Sequence, residues 1–130
     1  MTQHLFVYGT LRRAVGHSMG QVLAKYAEYA GPATFRGRLY RIADYPGAVP
    51  SEDPADRVFG EVHGLIDPAV LAELDAYEGI GPDFPQPTEY VRHLETVSLA
   101  DGRQVRAWVY LYNRPVTALE LIANGNFLSG

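Results

Sequence analysis

The sequence has no cysteine. Disulfides, iron–sulfur clusters, thiolate zinc sites and a cysteine nucleophile are therefore excluded. Basic runs are also missing. Arg12-Arg13 is the longest, which argues against a nucleic-acid surface. No apolar stretch approaches the length of a membrane span, and the N-terminus has neither a basic n-region nor an apolar h-region. A soluble, cytoplasmic protein with no membrane partner is expected. Neither G-x-x-x-x-G-K-[ST] nor G-x-G-x-x-G occurs, so nucleotide binding has no support. The four histidines, His4, His17, His63 and His93, show no metal-ligand spacing, and H-E-x-x-H is absent. No metal site is expected.

What is present is ordinary for a globular domain. The 130 residues, 47% of them hydrophobic, fit one domain (1–130) with a real core. Fifteen acidic and eleven basic residues leave a formal net charge of −4. Nine tyrosines are many for this length and suggest a cavity with hydroxyl groups on apolar walls.

Residues Gln3 to Tyr8 read as a first strand, followed by a basic connector, Leu11 to Gly16. Met19, Val22, Leu23, Tyr26 and Tyr29 recur at helical spacing, which predicts a helix over Ser18 to Tyr29, stopped by Gly31-Pro32. Ala33 to Ile42 reads as a strand with a bulge or bend at Gly37. Tyr45 to Pro50 reads as a proline-rich turn. Val58 to Ile66 is the next strand, with Phe59, Glu61, His63 and Leu65 on one face. Asp67-Pro68 then starts a second helix, with Val70, Leu71, Leu74 and Tyr77 as its apolar stripe and Gly79 closing it. The stretch from Gly79 to Glu89, with two glycines and three prolines, reads as a loop. Tyr90 to Leu99 and Gln104 to Tyr112 read as a hairpin turned by Asp101-Gly102. The tail, Val116 to Gly130, reads as a short helix or irregular cover. This order predicts an α+β domain whose mixed or antiparallel sheet closes toward a barrel around two main helices.

Three constellations carry candidate chemistry. In Val7-Tyr8-Gly9-Thr10-Leu11-Arg12 an apolar strand breaks at a glycine into a polar segment. Peptide N–H groups fanned at such a strand end can hold an anion or a developing oxyanion, although a buried strand and a plain glycine turn read the same way. Glu78 ends the second helix, where the helix dipole disfavours its charge. Asp75, three residues earlier, adds like-charge repulsion. Both raise its pKa, and a more basic carboxylate is a better proton acceptor near neutral pH; a solvated glutamate at a frayed helix end is the alternative. Gly16-His17-Ser18-Met19-Gly20 matches the nucleophile elbow, with Asp83 and His93 following in order. No apolar strand precedes Ser18, and the chain is too short for the sheet that a serine hydrolase of that type needs. Tyr90 and Arg92 share one strand face, as do Trp108, Tyr110 and Tyr112, and could line a pocket or simply pair across the hairpin.

Taken together, the chain resembles the γ-glutamylcyclotransferase-like (AIG2-like) family. The resemblance rests on Val7-Tyr8-Gly9-Thr10-Leu11-Arg12, Gly37-Arg38-Leu39-Tyr40, Tyr45-Pro46-Gly47, Val58-Phe59-Gly60-Glu61-Val62, Leu74-Asp75-Ala76-Tyr77-Glu78-Gly79, Tyr90-Val91-Arg92 and Ala107-Trp108-Val109-Tyr110, in that order. It implies a small mixed barrel in which the Tyr8–Leu11 loop and Glu78 face one cavity. It also implies release of 5-oxoproline from γ-glutamyl amines or amino acids. Glu78 would be the acid/base. Tyr8, Gly9, Thr10 and Leu11 would cradle the substrate, with Tyr40, Tyr90 and Tyr110 as candidate walls. Ring closure by the substrate's own amine needs no cofactor. A non-catalytic binder of a small acidic metabolite on the same scaffold is the competing expectation.

Overall fold

The computed structural model describes residues 3–9, 18–43 and 45–127, the side chains of 18–20 excepted. The elements are β1 (Gln3–Val7), α1 (Ser18–Tyr26), β2 (Ala27–Arg41), β3 (Pro46–Pro50), β4 (Arg57–Leu65), α2 (Val70–Tyr77), β5 (Tyr90–Leu99), β6 (Gln104–Tyr112) and β7 (Glu120–Leu121). The α+β expectation holds. The sheet runs β1-β4-β2-β3-β6-β5, and a parallel β1–β6 pairing closes β1, β4, β2, β3 and β6 into a five-stranded mixed barrel. β5 joins β6 as a long hairpin and also pairs with β2.

Period-two alternation sorts the strand residues between two cores. Phe6, Phe35, Leu39, Val58, Val62, Val97 and Val109 fill the barrel. Leu5, Val7, Leu65, Tyr90 and Tyr110 point outward, where they meet Leu23 of α1 and Val70, Leu71 and Leu74 of α2. The helices therefore lie on the outer surface of the sheet.

Four elements differ from the sequence expectation. The first helix ends at Tyr26, and β2 begins at once. Gly31-Pro32 does not stop a helix; it lies in β2, where the register against β4 shifts between Tyr29 and Gly31. Gly31 has φ +142°, a conformation that favours glycine and suits a bulge. No register shift marks a bulge at Gly37, which sits where β2 passes from its last pair with β4, Arg36 with Arg57, to its first pair with β3, Gly37 with Pro50. Gly37 allows close approach instead, since a Cβ there would lie 2.5 Å from the Val49 carbonyl oxygen. The expected turn at Tyr45–Pro50 is β3, and the expected tail cover supplies β7, which pairs with β2.

At the second helix, Asp67 does not cap directly. Its Oδ1 accepts from the Ala69 N–H (3.0 Å), building the turn ahead of α2. Tyr77 leaves the apolar stripe and is exposed. Gly79, with φ +74°, closes the helix as expected.

Candidate active site

Glu78 is the C-terminal cap of α2, with φ −82° and ψ 0°, and its N–H donates to the Leu74 carbonyl. That position tips its side chain off the helix into a partly buried setting. Among the described residues, none donates a hydrogen bond to its carboxylate. Burial is the main cause that pushes its pKa up to about 7, with the charge of Glu89 next and that of Asp75 third. The sequence anticipated Asp75. It gave no sign of Glu89, an acidic residue in an aperiodic loop.

Asp75 is the hub beside it. Its carboxylate accepts from Arg92 Nε (2.8 Å) and Nη2 (3.0 Å), and from the Tyr110 hydroxyl (2.8 Å). Arg92 also stacks over Trp108, its guanidinium carbon 4.4 Å from the ring centre. The hairpin register makes this possible, since Arg92 pairs with Tyr110 and Tyr90 with Tyr112. Glu89 has a partner of its own, as Tyr45 donates to its Oε2 at 2.7 Å.

Three of the expected tyrosines gather around this centre. The charge of Glu78 acts on Tyr8, Tyr90 and Tyr110, and burial is the leading cause that raises the pKa of each. Their hydroxyls are committed elsewhere. Tyr8 donates to the Tyr110 carbonyl and accepts from the Ala48 N–H (3.1 Å). Tyr90 donates to the Pro46 carbonyl (2.6 Å). Tyr110 donates to Asp75. These bonds hold all three side chains in place. With its side chain in the barrel core, Tyr8 can join a substrate cradle only through its backbone.

Gly9 lies against Pro46: a Cβ there would sit 3.0 Å from two carbons of the proline ring. Thr10 and Leu11 lie outside the described residues, as does the connector Leu11–Gly16. Tyr40 stands opposite Gly47, and its polar neighbour is Arg38 on its own strand. The described contacts do not join it to Glu78. His93 and Asp83, the expected partners of Ser18, are both exposed. Ser18 begins α1, and its side chain is outside the described set.

The sequence profile of the γ-glutamyl cyclotransferase, AIG2-like family matches residues 5–129. The chain belongs to that family. It is 40% identical over 125 residues to the γ-glutamylcyclotransferase family protein ytfP of Citrobacter rodentium, covering 95% of this chain and 94% of that protein. The solution structure of ytfP from Escherichia coli superposes with a TM-score of 0.65 at 37% identity, over 97% of this chain and 96% of its own. The crystal structure of an aig2-like protein from Mus musculus superposes with a TM-score of 0.67 at 25% identity, over 88% and 80% respectively. Among the described residues, no helix is long and apolar enough to cross a membrane.

Proposed function

We propose that this member of the family releases 5-oxoproline from a γ-glutamyl amine or γ-glutamyl amino acid, with Glu78 as the general acid/base. One observation carries the reading. A carboxyl whose pKa is pushed up to about 7 sits at a partly buried helix end, close enough to Tyr90 and Tyr110 for its charge to act on both.

The substrate supplies its own nucleophile. Its α-amine nitrogen attacks the γ-carbonyl carbon, and a five-membered ring forms. Glu78 takes the proton that the amine loses. The tetrahedral centre then collapses, its bond to the leaving nitrogen breaks, and Glu78 returns the proton to that nitrogen. A single group can do both because its pKa lies close to the working pH. Holding the substrate curled makes ring closure intramolecular, which lowers the entropic barrier. The N–H groups from Gly9 through Leu11 are the proposed donors to the oxyanion or the substrate carboxylate.

The test is 5-oxoproline release over a panel of γ-glutamyl compounds by wild type and Glu78→Gln. Turnover by wild type that is lost in the variant supports the proposal. Equal turnover removes Glu78 from its role. A wild type that binds a panel member and never turns it over makes the protein a binder.

A further inference from the structure

We propose that the protein carries a second binding site, for a small polyanion bearing phosphate or carboxylate groups, in a groove headed by Arg36, Arg57 and Arg106. The groove encloses about 670 Å³ and contains none of the residues grouped around Glu78. That volume suits a small molecule.

Three observations converge on it. First, Arg36 of β2 and Arg57 of β4 stand directly opposite one another in the antiparallel register. Like charges so placed repel across a gap of about 5 Å between Cβ atoms. Second, ion pairing sets most arginines of the described structure apart from those of the groove; Arg114, whose Nη2 donates to the Pro87 carbonyl (3.4 Å), lies elsewhere. Arg38, Arg41, Arg92 and Arg103 each have a carboxylate within ion-pair distance. Among the described residues, Arg36, Arg57 and Arg106 form no ion pair, and all three line this one groove; Arg106 is held there by a hydrogen bond from its Nη2 to the Leu94 carbonyl (3.2 Å). Third, the remaining lining supplies hydroxyl donors. Thr34 pairs with Ser98, and Thr96 with Arg106, so the hydroxyls and guanidinium groups alternate across β2, β5 and β6.

Two carboxylates also line the groove, and they do not neutralise it. Asp56 is held by the Ser51 hydroxyl (2.6 Å) and Arg38 Nε (2.8 Å), which together keep its pKa below the usual carboxylate range. Glu95 alone is left to face three guanidinium groups. The protein as a whole is acidic, with a net charge of −4, so this basic concavity is a local feature. Guanidinium forks bind carboxylate and phosphate oxygens through paired charge-assisted hydrogen bonds. A bound polyanion would turn the repulsion between Arg36 and Arg57 into a shared contact.

The experiment titrates inorganic pyrophosphate and, separately, citrate into the full chain at an ionic strength of about 20 mM, where screening is weak. Amide shifts report binding and thermal melts report stability. Wild type should bind at least one probe saturably and melt higher in its presence. The tighter probe identifies the anionic class. Arg36→Gln and Arg57→Gln should each weaken binding by about tenfold or more, as expected for a lost charge-assisted contact. Without the anion, Arg57→Gln should melt no lower than wild type, because a like-charge pair is gone. Lys25→Gln, on the exposed side of α1, should bind as wild type does. Absence of saturable binding overturns the proposal. So does equal affinity in the arginine variants, or an equal loss in Lys25→Gln.

Discussion

At the smallest scale, two acidic side chains, Glu78 and Glu89, are coupled, the charge of Glu89 helping to raise the pKa of Glu78. The sign of their effect can be worked out. A carboxyl whose folded pKa is raised binds its proton more tightly in the folded protein than in the unfolded chain. Its contribution to stability is complete below the unfolded value of about 4.5 and is lost as pH rises through about 7. Glu78→Gln mimics the protonated form and keeps that contribution. The variant should match wild type in urea melts near pH 4, gain on it through the interval from 4.5 to 7, and lead by at most about 3 kcal/mol above it. Its turnover should fall by about 10²–10⁴-fold, the scale of lost general acid–base catalysis. In wild type, kcat/KM should climb through pH about 7 as Glu78 deprotonates. Glu89→Gln removes the second cause of the raised pKa while leaving an acceptor for the Tyr45 hydroxyl. It should move that acidic limb to lower pH; a limb that stays put would mean that Glu78 is not the titrating group. The position of Glu78 was legible because helix periodicity and a closing glycine mark the end of α2. Glu89 was not, since its neighbours carry neither period nor cap.

The next scale is that of strands and helices, where long alternating runs were readable and short or interrupted ones were not. The β5–β6 hairpin matches its expected bounds, because alternation and Asp101-Gly102 agree with each other. β3 was hidden by its prolines. They occupy its first and last positions, Pro46 and Pro50, where a missing N–H is tolerated. β2 swallowed the end of the expected first helix, because the pairing of Ala27 to Tyr29 with β4 outweighed the local helical spacing. The Tyr8 hydroxyl is the pin between elements, joining the end of β1 to β3 and β6. Tyr8→Phe should cost about 1–3 kcal/mol in chemical denaturation, since a buried N–H and carbonyl lose their partner. A variant as stable as wild type would deny the pin its role. Ser18, at the start of α1, belongs to an elbow motif with no apolar strand ahead of it in the sequence. Ser18→Ala should leave 5-oxoproline release nearly unchanged, and a collapse of activity would revive the hydrolase reading.

At the scale of the whole molecule, stability resides in the closed ring of strands and thins toward β7. Phe6, Val62 and Val109 are fully buried in the barrel, whereas β7 is a two-residue strand with both residues exposed. In native-state hydrogen exchange, amides of β1, β4 and β6 should open only with global unfolding. Those of β7 should exchange by local fraying at far lower free energy. Uniform protection would contradict this gradient. The closure of the ring also has a consequence for how the protein is made. Tyr8 and its partner Tyr110 are 102 positions apart, so the first strand emerges from the ribosome long before the strand that receives it. Until then Leu5, Phe6 and Val7 have only β4 to pair with, and contacts of such long range form slowly. Translation that stalls before Trp108 yields a chain that already contains Glu78 but lacks Tyr110, on which the charge of Glu78 acts in the finished fold. On the proposed function, incomplete chains should release no 5-oxoproline, and a nascent-chain series ending on either side of β6 would reveal where release begins.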